Sequence, residues 1–231
     1  MLTSQPIIPI ITIDGPTSSG KGTVSRIVSM RLGWHFLDSG AIYRAFALAS
    51  LEEQVPPEDV ARLVALASDL HIDFILDEQK HDRILLSGVD VTEAIRQEVV
   101  SRQASRVSQY ANVRKALLDC QRGFLRFPGL VADGRDMGTV VFPEAKLKIF
   151  LSAAPEERAR RRYQQLIDKG IEANLNDILH DLTERDHRDQ SRDAAPLKPA
   201  KDSELIDSTH LSVEQVVQHI IDLAKQRFSL C

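Results

Sequence analysis

The stretch that decides the fold is IIPIITIDGPTSSGKGT, residues 7–23. Its first part, IIPIITI at 7–13, is a short run of mostly β-branched apolar residues, which is typical of a strand buried on both faces in a parallel sheet. A glycine-rich turn follows, and then an amphipathic stretch from about Lys21 to Leu32 that Gly33 ends. A buried strand, a glycine-rich turn and a helix in this order predict an α/β protein with a phosphate-binding loop after its first strand.

The candidate phosphate loop consists of Gly15, Pro16, Thr17, Ser18, Ser19, Gly20, Lys21, Gly22 and Thr23. Glycines let the backbone fold tightly around phosphate oxygens, and the start of the helix adds the positive end of its dipole. Lys21 can reach the β- and γ-phosphates, and Thr23 can serve Mg²⁺, although Gly22 stands where the general pattern has Ser or Thr. The alternative, a chance glycine-rich turn, is disfavoured by the flanking strand and helix. We therefore expect a site for a nucleoside triphosphate and Mg²⁺.

Predicted strands and helices alternate along the rest of the chain. Further short apolar strands are expected at 34–37, 129–133, 147–153 and 204–208. Helices are expected at 41–52, from Pro57 to about Leu70, at 112–126 and at 212–228, with two polar helices over 155–193. The segments HIDFIL and RILLSG, at 71–76 and 83–88, predict a hairpin, and a polar helical stretch follows near 92–109. This order predicts a three-layer α/β sandwich around a parallel sheet, with the hairpin as an insertion.

The composition excludes several classes of protein. With 231 residues, of which 43% are hydrophobic, the chain can bury a core as one compact domain or at most two. A net charge of -4 argues against a protein that coats nucleic acid. We find no export signal and no run of about 20 apolar residues, so we expect a cytoplasmic, soluble protein. Cys120 and Cys231 share no metal-ligand spacing and are expected to be reduced thiols, and the scattered His residues predict no zinc site.

The phosphoryl group held by such a loop could go to water, to a hydroxyl group or to another phosphate. The chain has no NKxD tetrad and no DxxG after the strand at 129–133, so a nucleotide-switch GTPase is disfavoured. No His or Asp is placed as a base beside a hydroxyl nucleophile. A phosphate monoester needs no such base because its oxygen is already anionic near neutral pH.

Two polar loops follow predicted strands and are expected at the ligand-binding edge of the sheet. The first, DSGAIYR at 38–44, offers Ser39 and Arg44 as donors. The second, DGRDMGT at 133–139, carries Asp133 where a metal-side carboxylate is expected, followed by Arg135 and Asp136. The alternatives are a capped helix start with a surface arginine for the first loop and a polar turn with an internal Arg–Asp pair for the second.

A third cluster, ERDHRDQSR at 184–192, places Arg185, Arg188, Asp189 and Arg192 on one face of a predicted helix. Arg185 could pair with Asp189, whereas Arg188 and Arg192 would repel one another without an anion nearby. The preceding predicted helix carries the basic run Arg158, Arg160, Arg161 and Arg162. A solvated face or a weak nucleic-acid patch could also explain this run, but neighbouring acidic residues argue against the patch. We interpret the arginines as a mobile clamp over a transferring phosphoryl group.

Four motifs, GPTSSGKGT, DSGAIYR, DGRDMGTVVFP and ERDHRDQSRDAAPL, resemble those of the bacterial cytidylate kinases in order and spacing, over essentially the whole chain. The resemblance implies a nucleoside-monophosphate-kinase fold with a five-stranded parallel sheet in one domain, residues 1–231. It implies a monophosphate-binding region at about 39–109, which includes the insertion at about 70–105, and a helical lid at about 158–193. It also implies phosphoryl transfer from ATP to CMP or dCMP with Mg²⁺. We expect a monomer that binds neither nucleic acid nor membrane.

The resemblance implies a role for each matching position. The residues that match the cytosine-reading positions are Ser39, Arg114, Asp136 and Arg192. Those that match positions near the sugar are Ser105, Arg185 and Asp189, and those that match the acceptor-phosphate positions are Arg44 and Arg135. Lys21, Arg158 and Arg188 match positions on the transferred group. Two rivals remain: an enzyme of the same fold with another acceptor, such as UMP/CMP, AMP or shikimate, and a non-enzymatic nucleotide sensor, which would not need the arginine-rich face.

Overall fold

The computed structural model of the chain describes residues 8–76 and 82–229. The predicted start of the first strand at Ile7, the connection within the hairpin and Cys231 lie outside the described residues. The chain forms two compact units, of which the first comprises Met1–Leu37 and Phe124–Cys231 and the second comprises Asp38–Gly123.

The strands are β1 (Ile10–Asp14), β2 (His35–Asp38), β3 (Ile72–Leu76), β4 (Asp82–Leu86), β5 (Val89–Asp90), β6 (Leu130–Gly134), β7 (Leu147–Ser152) and β8 (Glu204–Asp207). The α-helices are α1 (Lys21–Leu32), α2 (Ser39–Glu52), α3 (Val60–Ser68), α4 (Glu98–Val107), α5 (Ala111–Ala116), α6 (Leu118–Arg122), α7 (Pro155–Ile167), α8 (Leu175–Ser191) and α9 (Val213–Phe228). A 3₁₀-helical turn spans Ala94–Arg96, and a π-helical turn spans Met137–Val141.

The first unit is built on a sheet with the strand order β2–β6–β1–β7–β8. Strand β1 runs parallel to both β6 and β7, and β7 runs parallel to β8. Every residue of β1 and of β6 is buried, as expected for the central strands of a sheet covered on both faces. The predicted α/β architecture with five strands is therefore confirmed.

The hydrophobic core of the first unit joins the sheet to α1 and α9. Ile11 and Ile13 of β1 are fully buried in one cluster with Val28 of α1 and Val217 and Ile220 of α9. Between them, Thr12 faces the other side of the sheet, since alternate residues of a strand point to opposite faces. There the π-helical turn packs so closely that a Cβ on Gly138 would lie 2.8 Å from Thr12 Oγ1. The sheet edge that carries the phosphate loop is thus fixed from both faces.

Local sequence explains where the helices of this unit begin and end. Helix α1 ends at Gly33, which has a left-handed φ of 65° and donates its N–H to the Met30 carbonyl oxygen. Helix α9 begins with a capping box in which Ser212 and Gln215 satisfy one another's backbone N–H groups. The predicted helices at 21–32 and 212–228 agree with these bounds to within a residue.

The second unit combines helices with a small antiparallel sheet. Helix α2 packs against α4, and α3 packs against α5. The predicted hairpin is confirmed by the antiparallel pairing of β3 with β4, in which Ile72 lies opposite Leu86. Strand β5, which has only two residues and is too short for a recognisable pattern, was not predicted.

Two predicted helices of the second unit are broken in the structure. The helix expected near 92–109 is divided into the 3₁₀-helical turn and α4, because Gln97 between them adopts an extended ψ of 147°. The helix expected at 112–126 is two short helices that meet at Leu117. Half-buried Cys120 lies on α6 as a free thiol, and burial raises the pKa of this thiol. Among the helices in the described ranges, none combines the length and the apolar character needed to cross a bilayer.

Candidate active site

The phosphate loop leaves the carboxyl end of β1 and leads into α1, as predicted. Gly15 is required because a Cβ at this position would collide with the Leu151 carbonyl oxygen of the neighbouring strand. Gly20 directly precedes α1 with a left-handed φ of 90°. The helix therefore begins at Lys21, and the first N–H groups of α1 and its positive dipole end are directed at the loop.

Lys21 and Asp133 lie together beside this loop. Lys21 is 9% exposed, donates from Nζ to the Pro16 carbonyl oxygen at 3.3 Å and lies 3.9 Å from Asp133 Oδ1. The strand register explains the proximity, since Ile13 of β1 lies opposite Asp133 of β6. A Cβ on Gly22 would lie only 3.3 Å from Asp133 Oδ2. Glycine after the lysine thus leaves room for the carboxylate, which explains this departure from the general pattern.

The donors at this position fit Mg²⁺. Asp133 offers a carboxylate that is 6% exposed, and Thr23 offers a hydroxyl on an exposed residue one position beyond Gly22. Mg²⁺ prefers such oxygen ligands and is usually held by one or two protein groups, with phosphates and waters completing the shell. Residues 8–76 and 82–229 contain no group of three or more His, Cys, Asp or Glu residues that could hold a metal.

The basic run on α7 is divided between the site and the surface. Arg158 is 3% exposed and donates to the carbonyl oxygens of Ala153 at 3.0 Å and Thr17 at 3.2 Å. Its Nη2 lies 2.6 Å from Asp186 Oδ2, so it joins α7, α8 and the phosphate loop. Arg161 also reaches the loop, whereas Arg160 is exposed and bonded to Glu157. The solvated-face alternative therefore applies to Arg160.

Arg135 and Asp189 form a half-enclosed ion pair within the first unit. Arg135 Nε donates to Asp189 Oδ2 at 3.0 Å, and Arg192 Nη1 lies 3.7 Å from Asp189 Oδ1. Burial alone would raise the pKa of Asp189, but the charges of Arg135, Arg192 and Arg185 outweigh it and hold the pKa below its ordinary value. Arg185, one helical turn before Asp189, makes the smallest of these three charge contributions. Asp136, which precedes the π-helical turn, is 3% exposed.

Arg192 ends the predicted helix rather than lying within it. Helix α8 ends at Ser191, and Arg192 follows it with an extended ψ of 141° and donates from Nε to the Ala195 carbonyl oxygen at 2.6 Å. The side chain of Arg188 is 58% exposed and its guanidinium lies 3.9 Å from Glu184. Each of the two guanidinium groups lies within 4 Å of a carboxylate of its own, Arg188 near Glu184 and Arg192 near Asp189.

The candidate acceptor residues of the second unit are arranged around α2. Asp38 caps this helix by accepting from the Ala41 N–H at 2.9 Å, and it also accepts from Arg44 Nη2 at 3.0 Å. The alternative of a capped helix start with a surface arginine is therefore correct for the cap. It does not hold for Arg44, which is paired with Asp38 and partly buried. Ser39, the first residue of α2, is 5% exposed.

Arg114 and Ser105 lie on neighbouring helices of the second unit. Arg114 of α5 stands over the Tyr43 ring at 5.2 Å from its centroid and donates from Nη1 to the Ser108 carbonyl oxygen at 3.1 Å. This stacking fixes the plane of the guanidinium group. Ser105 lies half-buried on α4. The sequence analysis did not single out Tyr43, although its position four residues after Ser39 on one helix was a usable signal.

Asp14 is a further residue that the sequence analysis missed. This last residue of β1 is 5% exposed, and its two carboxylate oxygens accept the backbone N–H groups of Met137 and Gly138, each at 2.8 Å. It therefore anchors the turn that carries Asp136 to the strand that carries the phosphate loop. Burial raises the pKa of Asp14 to about 7, against the two backbone hydrogen bonds that lower it.

The raised pKa of Asp14 predicts a specific pH dependence of stability. Because the folded state holds this proton more tightly than the unfolded state, the stabilisation is complete below the ordinary pKa of 3.8 and is lost as the pH rises through about 7. In Asp14→Asn the group cannot titrate. We expect the unfolding free energy of the wild type, minus that of the variant, to fall by on the order of 3 kcal/mol between pH 4 and pH 8.

Urea unfolding of both proteins at several pH values measures this difference, and groups that titrate identically in both cancel. A difference that is constant over this range, or that rises with pH, would contradict the raised pKa.

Comparisons with known proteins identify the family. The cytidylate kinase family matches residues 11–226. Curated proteins named cytidylate kinase are similar to this chain, among them one from Burkholderia multivorans, with 54% identity over 92% of this chain and 91% of its own length. Another, from Aeromonas hydrophila, has 50% identity over 95% of each chain.

Among solved structures, a gluconokinase from Sinorhizobium meliloti 1021 matches 97% of each chain with a TM-score of 0.46 and 13% identity, a likeness too distant to carry an argument. The relatives carry the assignment, because identity above 50% extends over nine-tenths of both sequences. The chain belongs to the cytidylate kinase family.

Proposed function

We propose that this enzyme transfers the γ-phosphoryl group of ATP to CMP, and also to dCMP, with Mg²⁺ as its cofactor. The products would be ADP and CDP or dCDP. The observation that carries the proposal is a phosphate loop with Lys21 beside Asp133 in a chain 54% identical to a curated cytidylate kinase. The name of that relative supports the choice of acceptor, and the loop supports the choice of donor.

The proposed transfer joins two polyanions, so its main requirement is positive charge in fixed positions. An oxygen of the acceptor phosphate forms a bond to the γ-phosphorus as the bond to the β–γ bridging oxygen breaks, and ADP leaves with that electron pair. Lys21 and the N–H groups of the loop would hold the β- and γ-phosphates. Mg²⁺, held by Asp133 and Thr23, would neutralise charge shared between phosphate oxygens.

The arginines divide into two kinds according to their contacts. Arg158 is internally bonded and would act on the transferred group only after exchanging one of these partners. Arg188, with its exposed side chain on α8, could turn toward a bound phosphate without such an exchange. We propose that α7 and α8 form the lid, about 158–193, and that Arg188 is its mobile contact.

The acceptor contacts are proposed from the positions that match the family's motifs. Arg44 and Arg135 would hold its phosphate, Ser105, Arg185 and Asp189 would lie near the sugar, and Ser39, Arg114, Asp136 and Arg192 would read the base. The monophosphate-binding region at about 39–109 would supply part of this set. The free thiol of Cys120 is usual in a reducing compartment, so we propose a cytoplasmic enzyme, acting as a monomer.

A phosphoryl-transfer assay across acceptors tests the proposed function. ADP release from ATP is measured in parallel with CMP, dCMP, UMP, AMP and shikimate, with and without Mg²⁺. We expect CMP and dCMP to be turned over at least tenfold faster than the others and all turnover to stop without Mg²⁺. Faster turnover of AMP, UMP or shikimate would assign a different acceptor, and ATP binding without transfer to any acceptor would favour a nucleotide sensor.

Replacing Asp189 by Asn tests the proposed sugar contact. The carboxylate can accept from a ribose hydroxyl, and a single hydrogen bond to a charged group corresponds to about a tenfold change in binding. We expect the ratio of kcat/KM for CMP to that for dCMP to fall by about five- to tenfold. Asp181→Asn, an exposed change on the same helix, should leave the ratio as in the wild type. Equal losses for both substrates would remove Asp189 from sugar recognition.

A further inference from the structure

Arg161 joins α7 to the phosphate loop and to the residue that follows β8. The guanidinium donates from Nη1 to the Ser19 carbonyl oxygen at 3.2 Å and from Nη2 to the Ser208 carbonyl oxygen at 2.6 Å. Its Nε donates to Glu157 Oε1 at 2.9 Å, one turn earlier on the same helix. With 24% of its side chain exposed, Arg161 has its planar fork held on three sides.

Ser208, the residue after β8, supports the same carbonyl. It is 3% exposed, and its Oγ lies 3.2 Å from the Ser19 carbonyl oxygen and 3.0 Å from that of Ser152. Arg161 Nη1 also donates to this Oγ at 3.2 Å, which occupies a lone pair and leaves the hydroxyl proton directed at a carbonyl. The Ser19 carbonyl is therefore held by Arg161 from outside the loop, and the single hydroxyl proton of Ser208 is shared between this carbonyl and that of Ser152.

Holding this carbonyl has a consequence for the opposite side of the same peptide group. In a trans peptide the C=O and the following N–H point in opposite directions, so fixing the Ser19 oxygen fixes the direction of the Gly20 N–H. The Thr17 carbonyl is held in the same way by Arg158, which fixes the Ser18 N–H. Loop N–H groups pointing away from these contacts are the donors that a phosphate-binding nest requires.

Arg160 provides a natural comparison on the same helix. Like Arg161 it bonds to Glu157, at 2.8 and 2.9 Å, and the hydrogen bonds from Arg160 and then Arg161 lower the pKa of that carboxyl to about 2. The side chain of Arg160 is 69% exposed, however, and its described contacts are confined to Glu157. The two arginines carry equal charge, but Arg161 alone of the pair is in contact with the loop.

We propose that Arg161 and Ser208 are positioning residues for ATP: they hold the Ser19–Gly20 peptide so that its N–H faces the triphosphate. The inference rests on the proposed function only in requiring that the loop binds ATP. In this proposal α7 has two roles. It carries Arg158, and through Arg161 it holds the loop in its binding conformation before the nucleotide binds. Pre-ordering of this kind lowers the cost of binding.

The test uses Arg161→Met, which keeps the length of the side chain but removes its donors, with Arg160→Met as the matched control. ATP binding is measured calorimetrically in Mg²⁺ buffer without acceptor, and amide exchange over residues 15–23 is measured in the free protein. We expect Arg161→Met to raise the Kd for ATP about tenfold and to speed exchange in the loop, because the Arg161 hydrogen bond to the Ser19 carbonyl is lost and Arg161 no longer holds the Ser208 hydroxyl in place. The KM for CMP should stay within twofold, and Arg160→Met should behave as the wild type.

Two further variants keep the proposal falsifiable if Arg161→Met does not fold. Arg161→Lys can donate to one carbonyl but cannot form the fork, so about half of the effect on a logarithmic scale should be rescued. Ser208→Ala should raise the Kd for ATP about threefold. Wild-type Kd and exchange in all folded variants, or equal losses in Arg160→Met, would overturn the proposal.

The outcome also separates this inference from the proposed function. A wild type that binds ATP but phosphorylates no CMP contradicts the function and leaves the binding test of Arg161 valid. A wild type that binds no ATP overturns the nucleotide-positioning role, whatever the exchange data show.

Discussion

Replacing Lys21 by Met is expected to lower kcat for CMP phosphorylation by about 10²–10³-fold, the usual cost of removing one preorganised electrostatic donor from a transition state. The ammonium group lies at the start of α1, 3.9 Å from Asp133 and 3.3 Å from the Pro16 carbonyl oxygen. No other lysine occurs in the loop, and the nearest arginine contacts are made to loop carbonyls rather than into its interior. A fixed-time ADP-release assay at saturating ATP and CMP measures the loss.

The same change also removes positive charge from a buried carboxylate, so stability must be separated from catalysis. Lys21 and Asp133 are 9% and 6% exposed, and loss of the lysine should lower the unfolding free energy by about 1–3 kcal/mol. The double variant Lys21→Met/Asp133→Asn lacks the uncompensated charge and should recover most of that stability without recovering activity. A single variant with kcat within tenfold of the wild type, or a double variant that is active, would contradict the proposed role.

Local sequence was enough to locate the phosphate loop. Its strand, its glycines and its lysine are contiguous, and each has a conformational or chemical requirement that a short pattern expresses. Asp133 could also be placed, because it ends a buried strand and parallel strands bring their carboxyl ends to one edge of the sheet. The pattern did not explain why glycine stands at position 22. The structure does, because the side chain of Asp133, 111 residues further along the chain, lies against this position.

Other parts of the candidate site depend on partners that no local pattern specifies. Asp14 accepts hydrogen bonds from backbone groups 123 and 124 residues away, and Arg161 donates to a carbonyl 142 residues away. The exact end of α8 could not be predicted, because helical periodicity does not state where a helix ends; α8 ends at Ser191, five residues before the next proline, Pro196. Sequence patterns therefore located the phosphate loop better than the residues that hold it in position.

Replacing Asp136 by Ala is expected to reduce kcat/KM for CMP by about 10²-fold or more while changing that for UMP by less than about threefold. Cytosine offers an amino donor at N4, which a carboxylate accepts, whereas uracil presents a carbonyl oxygen there that a carboxylate repels. Asp136 is 3% exposed, and a buried polar group left unpaired costs about 1–3 kcal/mol. The preference for CMP over UMP should therefore be lost because kcat/KM for CMP falls, while that for UMP stays nearly constant.

Asp136→Asn is the sharper variant because its shape is unchanged while its amide can donate to the uracil oxygen. We expect the UMP to CMP ratio of kcat/KM to rise at least tenfold, with the Kd for ATP as in the wild type. ATP affinity matters because Asp136 precedes the turn that Asp14 anchors to β1, so a distorted turn could disturb the neighbouring loop. Equal losses for CMP and UMP together with weakened ATP binding would show that Asp136 supports the turn rather than reads the base. Selective loss of CMP turnover with unchanged ATP affinity and unchanged UMP turnover would support a contact between Asp136 and the base, because the donor site and the rest of the acceptor site would then be intact.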